Sequence, residues 1–329
     1  MTERQLLKAL QGKFGNVTES SGGNGTEMII DCPWCDHHKL SVNANKGVWQ
    51  CWHCHESGTV SKLLGYRVTV EKPERKPKPK VRGYVSPGEL IPLDELPEDH
   101  EAVLYVKNRK FSPKYLSQVF GLTYCRKGNS YGGGIFNTSG TIVIPVTMGG
   151  HEIAWQARLL YNPDSVKEGE EAAYGWLNEG GKWKKPPKYF TMPGLKKGEH
   201  FFNYDMASKC GFVVVTEGAF DAMRVGRCAV ASFGKSLTDV QVDIIRNTWP
   251  LAVLLLDPDA ESDQERLRRR IEGTGPFGGL SSGTRCIPVH LRGWKDAGEA
   301  PQEEVIRQIV QAAEAMGINL ADYSKTNPF

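Results

Sequence analysis

Four cysteines stand in two close pairs, Cys32 and Cys35 in CPWC and Cys51 and Cys54 in CWHC, with fifteen residues between the pairs. Two Cys-x2-Cys turns at this separation supply four thiolates to one tetrahedral zinc ion. Cys32, Cys35, Cys51 and Cys54 are therefore read as ligands of a structural Zn2+. His37, His38, His53 and His55 lie beside the pairs but off the paired positions, and are read as facing solvent or phosphate. Zinc thiolates persist in a reducing compartment, so the expected location is the cytoplasm.

A second constellation is acidic. Glu217 follows the apolar run FVVVT, Asp257 and Asp259 follow LAVLLL, and Asp296 comes shortly after CIPVHL. Asp221 stands four residues after Glu217, one helical turn further on the same face. Carboxylates gathered at one sheet edge repel one another unless a cation lies between them. Magnesium suits such oxygen donors and leaves room for substrate phosphates, the requirement of metal-assisted phosphoryl transfer. The competing reading is structural, because an aspartate after a strand is also a common helix N-cap, and Asp259 or Asp296 fits that role.

A third group is basic. Between Lys182 and Lys197 there are six lysines and no acid, interleaved with Trp183, Tyr189 and Phe190. Cations for phosphate and aromatic faces for bases are what a single-stranded nucleic-acid channel needs. An exposed basic loop anchored by its aromatics has the same composition, and both readings stand. From Lys72 to Arg82 there are six basic residues, one acid and three prolines, the composition of an extended, semi-rigid linker that touches phosphate weakly.

The elements that must position these groups follow from periodicity. MTERQLLKALQGKF has helical spacing, and ESSGGNG is read as a turn before the cysteine knuckle. KLSVNANKGVWQC is read as two strands joined at Asn45–Gly47, a ribbon hairpin. EAVLYVKNR and SPKYLSQVF are read as helices, and GTIVIPV and EIAWQARLL as strands. From residue 210 to 316 strand and helix alternate four times, which predicts a parallel sheet with covering helices. Ligands of such sheets sit beyond the carboxyl ends of the strands, where the acids stand.

A chain of 329 residues implies several domains. It has no apolar run long enough to span a membrane and no signal-peptide pattern. The net charge of +3 does not by itself point to nucleic acid. The expected division is a zinc ribbon at 1–70, a basic Pro-rich linker at 71–99, a mixed α+β part at 100–205 and a parallel-sheet part at 206–329.

Through these motifs the sequence resembles the bacterial-type replicative DNA primases, including phage relatives. CPWC...LSVNANKGVWQCWHCHESGTVSKLL is similar to the primase zinc-binding domain. YVKNRKFSPKYLSQVFGL, GTIVIPVTMGGHEIAWQARLL and PPKYFTMPGLKKGEHFFNYDMA resemble the amino-terminal part of its polymerase domain. VVVTEGAFDAMRVG, AVASFGKSLT and LLLDPDA resemble the Toprim core that primases share with topoisomerases. The implied fold is a small β-rich ribbon plus an α+β and α/β polymerase domain with a Toprim, Rossmann-like sheet.

The resemblance implies that Glu217, Asp257 and Asp259 bind catalytic magnesium or manganese, supported by Asp221 and Asp296. It implies nucleic-acid or nucleotide handling by Arg158 and Lys188; Lys184 and Lys185 of the basic aromatic segment, and Lys235, are further candidates for the same role. The implied activity is primer synthesis from ribonucleoside triphosphates on single-stranded DNA, with a separate replicative helicase as partner and the ribbon reading the start site. Three departures qualify it. Gly298 stands where the family often has a second acid after the one matched by Asp296, with Glu299 beside it. The glycine usual after the Asp-x-Asp turn is missing from DPDAES, and the knuckle has four cysteines where many relatives have a histidine. No P-loop helicase segment follows, so the expected form is a stand-alone, phage-like primase. The rivals are a non-catalytic binding protein, either a recombination mediator or a degenerate primase, and a Toprim nuclease.

Overall fold

The computed structural model describes residues 1–22, 25–44, 46–54, 56–69, 83–234, 236–256, 261–273 and 283–323. The chain divides into two compact units, residues 1–80 and 81–329.

In the first unit, helix α1 (Glu3–Phe14) starts at Thr2, whose hydroxyl accepts the Gln5 amide while the Gln5 side chain accepts the Thr2 amide. That reciprocal cap satisfies two donors that a helix start leaves orphaned. Leu6 and Leu10, one turn apart, are fully buried. They pack with Met28, Ile30, Leu40, Val42 and Trp49, which lie on or border an antiparallel sheet. Its strands run in chain order: β1 (Val17–Gly22), β2 (Gly25–Ile30), β3 (Leu40–Asn43), β4 (Val48–Cys51) and β5 (Ser57–Thr59). The expected ribbon hairpin is β3–β4, with Asn43 opposite Val48. Of ESSGGNG, read as a turn, residues 19–22 end β1 and Gly25 starts β2, while residues 23 and 24 lie outside the described residues; the first strand, VTESSG, is too polar to show a buried face. The short helix α2 (Val60–Leu64) ends at Gly65 in the left-handed region, and Lys13 Nζ donates to its last carbonyls, Leu63 at 3.0 Å and Leu64 at 2.9 Å.

The second unit begins with β6 (Gly88–Pro92), α3 (Glu101–Asn108), α4 (Pro113–Phe120) and β7 (Thr123–Gly128). A small pair follows, β8 (Ser130–Tyr131) with β9 (Phe136–Asn137), then the long hairpin β10 (Thr141–Met148) and β11 (His151–Leu159). A second small hairpin joins β12 (Leu177–Glu179) and β13 (Lys182–Lys184), before β14 (Tyr189–Thr191). The larger strands form an antiparallel sheet in the order β14-β11-β10-β7-β6.

After helix α5 (Tyr204–Ala207) come β15 (Val213–Thr216), α6 (Ala219–Val225), β16 (Ala229–Ala231), α7 (Asp239–Thr248), β17 (Leu251–Leu254), α8 (Glu261–Glu272), β18 (Arg285–Pro288) and α9 (Gln302–Ala315). The four strands are parallel, in the order β16-β15-β17-β18. This is the alternation the sequence predicts. All four residues of β15 and of β17 are buried, because both faces of the sheet are covered. Val214 and Val253 point to the side of α6 and α9. Val213, Val215, Ala252 and Leu254 point to the side of α7 and α8. The first of these cores also contains Ala102, Val106 and Leu116 of the two early helices and Ile142 and Ile144 of β10. Among the described residues no helix is long and apolar enough to cross a membrane.

Candidate functional site

The first candidate site is the cysteine knuckle. Cys32 lies just beyond β2, Cys51 ends β4, and both are buried, while Cys35 and Cys54 are half-buried. Tight turns bring each pair together: the Asp36 amide donates to the Cys32 carbonyl at 2.9 Å and the Cys51 amide to the Glu56 carbonyl at 2.8 Å. All four sulfurs lie within 4.8 Å of one another, and Cys32–Cys54 and Cys35–Cys51 are each 3.7 Å apart. A tetrahedron with sulfurs about 2.3 Å from its centre has edges of about 3.8 Å. The donor set fits a structural zinc ion.

The thiols are electrostatically unequal. Burial pushes Cys32 up to about 12. Burial also acts upward on Cys51, but the Cys54 and His53 amides and the neighbouring thiols outweigh it and bring Cys51 down to about 6. One of those amides, His53 N–H, donates to Cys51 Sγ at 3.4 Å. A shell that already favours one thiolate has made part of the charge that a cation would need.

The second candidate site is a cleft of ≈ 300 Å³ in residues 81–329, lined by both cations and acids: Arg109, Arg158, Lys188, Lys197, Glu217, Asp221 and Asp296, with Gln156, Tyr189, Phe220 and Phe233. Its lining includes Glu217 after β15, Phe233 and Gly234 after β16 and Asp296 after β18, beyond the carboxyl ends of the strands where α/β sheets bind ligands. Glu217 follows β15 directly. Asp221 is in the first turn of α6, where Oδ2 accepts the Gly218 amide at 3.2 Å and Oδ1 accepts the Gly298 amide at 2.7 Å. One carboxylate thus ties the turn carrying Glu217 to the loop carrying Asp296. Asp296 Oδ1 in turn accepts the Glu299 amide at 2.9 Å. A Cβ at Gly298 would lie 3.0 Å from Asp221 Oδ1 and 3.4 Å from Asp296 Oδ1. Glycine at 298 thus lets the backbone come close enough to serve Asp221.

On the basic side, Arg158 of β11 is buried at 3 % exposure. Its guanidinium lies 4.4 Å from the Tyr189 ring centre, and Nε donates to the Tyr105 hydroxyl at 2.8 Å. Tyr189 faces Arg158 across the β11–β14 register. Arg109 sits over Tyr105 and Phe220, 5.3 and 5.4 Å from their ring centres. Lys188 is held below the ordinary lysine range, first by burial and then by Arg158, Arg109 and Lys295, against a partial offset from Asp296. Several cations crowding one cleft are stabilised by an anion.

Sequence reading did not find Arg109, Gln156, Phe233 or Arg224. Phe233 has φ of 63°, a left-handed conformation that costs a bulky residue about 1–3 kcal/mol. Arg224, 4 % exposed, donates to the carbonyls of Arg109, of Lys110 at 3.1 Å and of Gly298 at 3.1 Å, and lies 3.8 Å from the Phe111 ring centre. It clamps the turn after α3 to the loop after β18. The only signal for Arg109 was a basic residue at the end of a helix, and nothing in the local sequence marked Arg224.

Of the basic residues nominated from sequence, Arg158 and Lys188 line the cleft. Lys184 and Lys185 do not; they are exposed, and pair with Glu179 at 3.8 Å and with Asp164. Lys235, Asp257 and Asp259 lie outside the described residues, as do residues 71–82 of the expected 71–99 linker; the remainder is not all linker, because β6 (Gly88–Pro92) is a strand of the β14-β11-β10-β7-β6 sheet.

No protein-family model matches the sequence, and no curated protein matches it. Among solved structures, the chain is similar to the Aquifex aeolicus primase (zinc-binding and RNA polymerase domains) at 20% identity, covering 98% of this chain and 88% of that one with a TM-score of 0.47. It is similar to a DnaG primase catalytic domain bound to single-stranded DNA at 16% identity, covering 67% and 74%, TM-score 0.48. It is also similar to the E. coli primase catalytic core at 17% identity, covering 67% and 75%, TM-score 0.44. All three are primases.

Proposed function

We propose that the chain is a DNA primase, which joins ribonucleoside triphosphates on a single-stranded DNA template. In that reaction a 3′-hydroxyl attacks the α-phosphorus of the incoming triphosphate and pyrophosphate leaves. The observation that carries the reading is Arg158, a buried guanidinium with no carboxylate partner among the described residues, at a cleft that Glu217 also lines. A buried cation without an internal counter-ion needs one from outside, and a guanidinium matches phosphate geometry. Arg109 and Lys188 add charge to the same cleft, while Tyr105 and Tyr189 hold the guanidinium in place.

Glu217, with Asp257 and Asp259 after β17, would hold magnesium or manganese; the oxygen donor that lines the cleft suits either ion. When bound, the ion supplies charge stabilisation at the phosphoryl group. Asp221 and Asp296 act differently: their oxygens accept backbone amides and fix the two loops that frame the site. The zinc ribbon reads the template start site, and the basic run at 72–82 tethers it, which raises its local concentration without fixing a register. A separate replicative helicase completes the expected set of partners.

The test is incubation of the purified chain with a library of single-stranded templates and labelled nucleoside triphosphates. The expected result is short labelled primers from the wild type, and none from Asp257→Asn while template binding survives. Labelled DNA cut into fragments without incorporation makes it a nuclease. Template binding with neither synthesis nor cutting makes it a binding protein. Wild-type synthesis by Asp257→Asn removes the acids from the active site.

A further inference from the structure

We infer that Cys35, His37 and His53 form a second metal site, for one exchangeable zinc-class divalent ion, at the solvent edge of the four-cysteine centre. The inference rests on reading that centre as a zinc site. One sulfur and two imidazole nitrogens come within 4.8 Å of one another. The two rings lie face to face, 3.6 Å apart between centroids and 12° from parallel. Both histidines are exposed, so a modest rotation about their side-chain torsions turns side-by-side nitrogens toward one ion.

Three features make this more than crowding. His37 Nδ1 lies 2.6 Å from the Cys35 carbonyl oxygen. Donation of Nδ1–H to that oxygen leaves Nε2 as the lone-pair nitrogen, the tautomer that metal-binding histidines adopt when a carbonyl holds the other nitrogen. His53 is anchored through its backbone, its amide donating to Cys51 Sγ at 3.4 Å, so the turn that carries the zinc ligands also places His53 beside them. Third, the neighbouring His38 is committed elsewhere, to Asp31 at 2.7 Å and Thr18 at 3.2 Å, which separates it from the pair.

The donor chemistry sets the class of ion. Sulfur with imidazole nitrogen selects zinc, cobalt or copper over magnesium and calcium. A zinc-bound thiolate keeps lone pairs with which it bridges to another ion, so Cys35 serves both centres. Three protein donors leave one position open to water, the property of zinc sites that exchange ligands rather than merely hold a fold. The second ion is therefore the weaker and the faster to leave.

The experiment uses the full chain. Zinc content as purified reads the four-cysteine centre, with one tightly held ion per chain expected; absence of zinc overturns that reading on its own. The zinc-loaded chain is then titrated with Co2+, following its visible spectrum and zinc release to a chromophoric chelator. One further equivalent per chain is expected, without zinc release, in the wild type and in the control His38→Ala. That equivalent should vanish in His37→Ala and in His53→Ala, each still carrying its first zinc. The inference is overturned by no second equivalent in the wild type, by its persistence in both histidine variants, or by cobalt that binds only as zinc leaves. It is also overturned if the second equivalent is bound only between two chains, at one ion per dimer by mass.

Discussion

The cysteine knuckle and the cleft solve the same problem, gathering charged donors at a point, by opposite routes. In the knuckle all four donors come from two turns within 23 residues, and the metal holds together a unit too small to sustain a core by itself. In the cleft the donors come from the turn after α3, β11, the segment before β14, the turn after β15 with the start of α6, and the loop after β18, and packed elements hold them. Removing a knuckle donor therefore removes structure, whereas removing a cleft donor removes function and leaves structure.

That contrast is sharpest at Cys51→Ser. Structural zinc contributes roughly 10 kcal/mol or more to folding of such units. The variant is expected to lose its zinc and the β1–β5 sheet while residues 81–329 keep an unchanged thermal transition. Metal analysis and calorimetry check it; a sheet that survives the loss of zinc would make the knuckle an ordinary hydrophobic unit, and unchanged zinc would remove Cys51 from the ligands.

A smaller effect separates the cleft from the knuckle. Arg158→Met keeps the apolar contacts of the side chain with Tyr105 and Tyr189 but removes its charge. Loss of a charge-assisted phosphate bond of roughly 1.5–3 kcal/mol weakens nucleoside triphosphate binding about 10- to 100-fold. The melting temperature should stay within a few degrees of the wild type. Calorimetric titration and thermal denaturation give the two numbers, and a large loss of stability with unchanged binding would turn Arg158 into a core residue.

The smallest effect divides the basic segment itself. Lys188→Gln should flatten the slope of log affinity against log salt by roughly 0.7 on single-stranded DNA. The double variant Lys184→Gln/Lys185→Gln should leave that slope nearly unchanged, since Glu179 and Asp164 already answer those charges. The pH dependence has a definite sign. Because burial and nearby cations hold Lys188 below the ordinary lysine range, its proton leaves at lower pH than an ordinary lysine's. Binding should thus begin to weaken below the normal lysine titration as pH rises, and Lys188→Arg should remove that early decline. Equal salt slopes in the two lysine variants would place the template along β12–β13 instead.

What the sequence disclosed follows the same divide. The knuckle was legible because two tight turns determine it, and a spacing rule describes tight turns. The β15–β18 layer was legible because strands covered on both faces read as unbroken Val and Leu runs. Glu217, Asp221 and Asp296 could be nominated because strand ends are where such sheets bind. By contrast, the joint task of Arg109 and Arg158 depends on Tyr105 and on a register between β11 and β14, which no local pattern records. Lys184 and Lys185 looked equivalent to Lys188 by composition, and only the β12–β13 hairpin, with its acids alongside, sets them apart. Gly298 looked like a missing acid, and the Asp221 hydrogen bond gives it a positive role. The β1–β2 hairpin was missed because its residues are mostly Ser, Thr, Glu and Gly.

The Arg224 clamp has a consequence in time as well as in space. Its carbonyl partners lie 74, 114 and 115 residues away in the chain, so the bonds form only after both the early helices and the last strand have found the sheet. Contacts at such separations carry loop-closure costs that are met late in folding. The amide of Gly298, held by Asp221 beside this clamp, is accordingly expected to gain protection in the final phase. Pulse-labelled hydrogen exchange during refolding measures it, and protection of that amide with the first strands would reverse the order. A nascent chain released before residue 298 would carry the acids and cations of the cleft without the geometry that makes them a site.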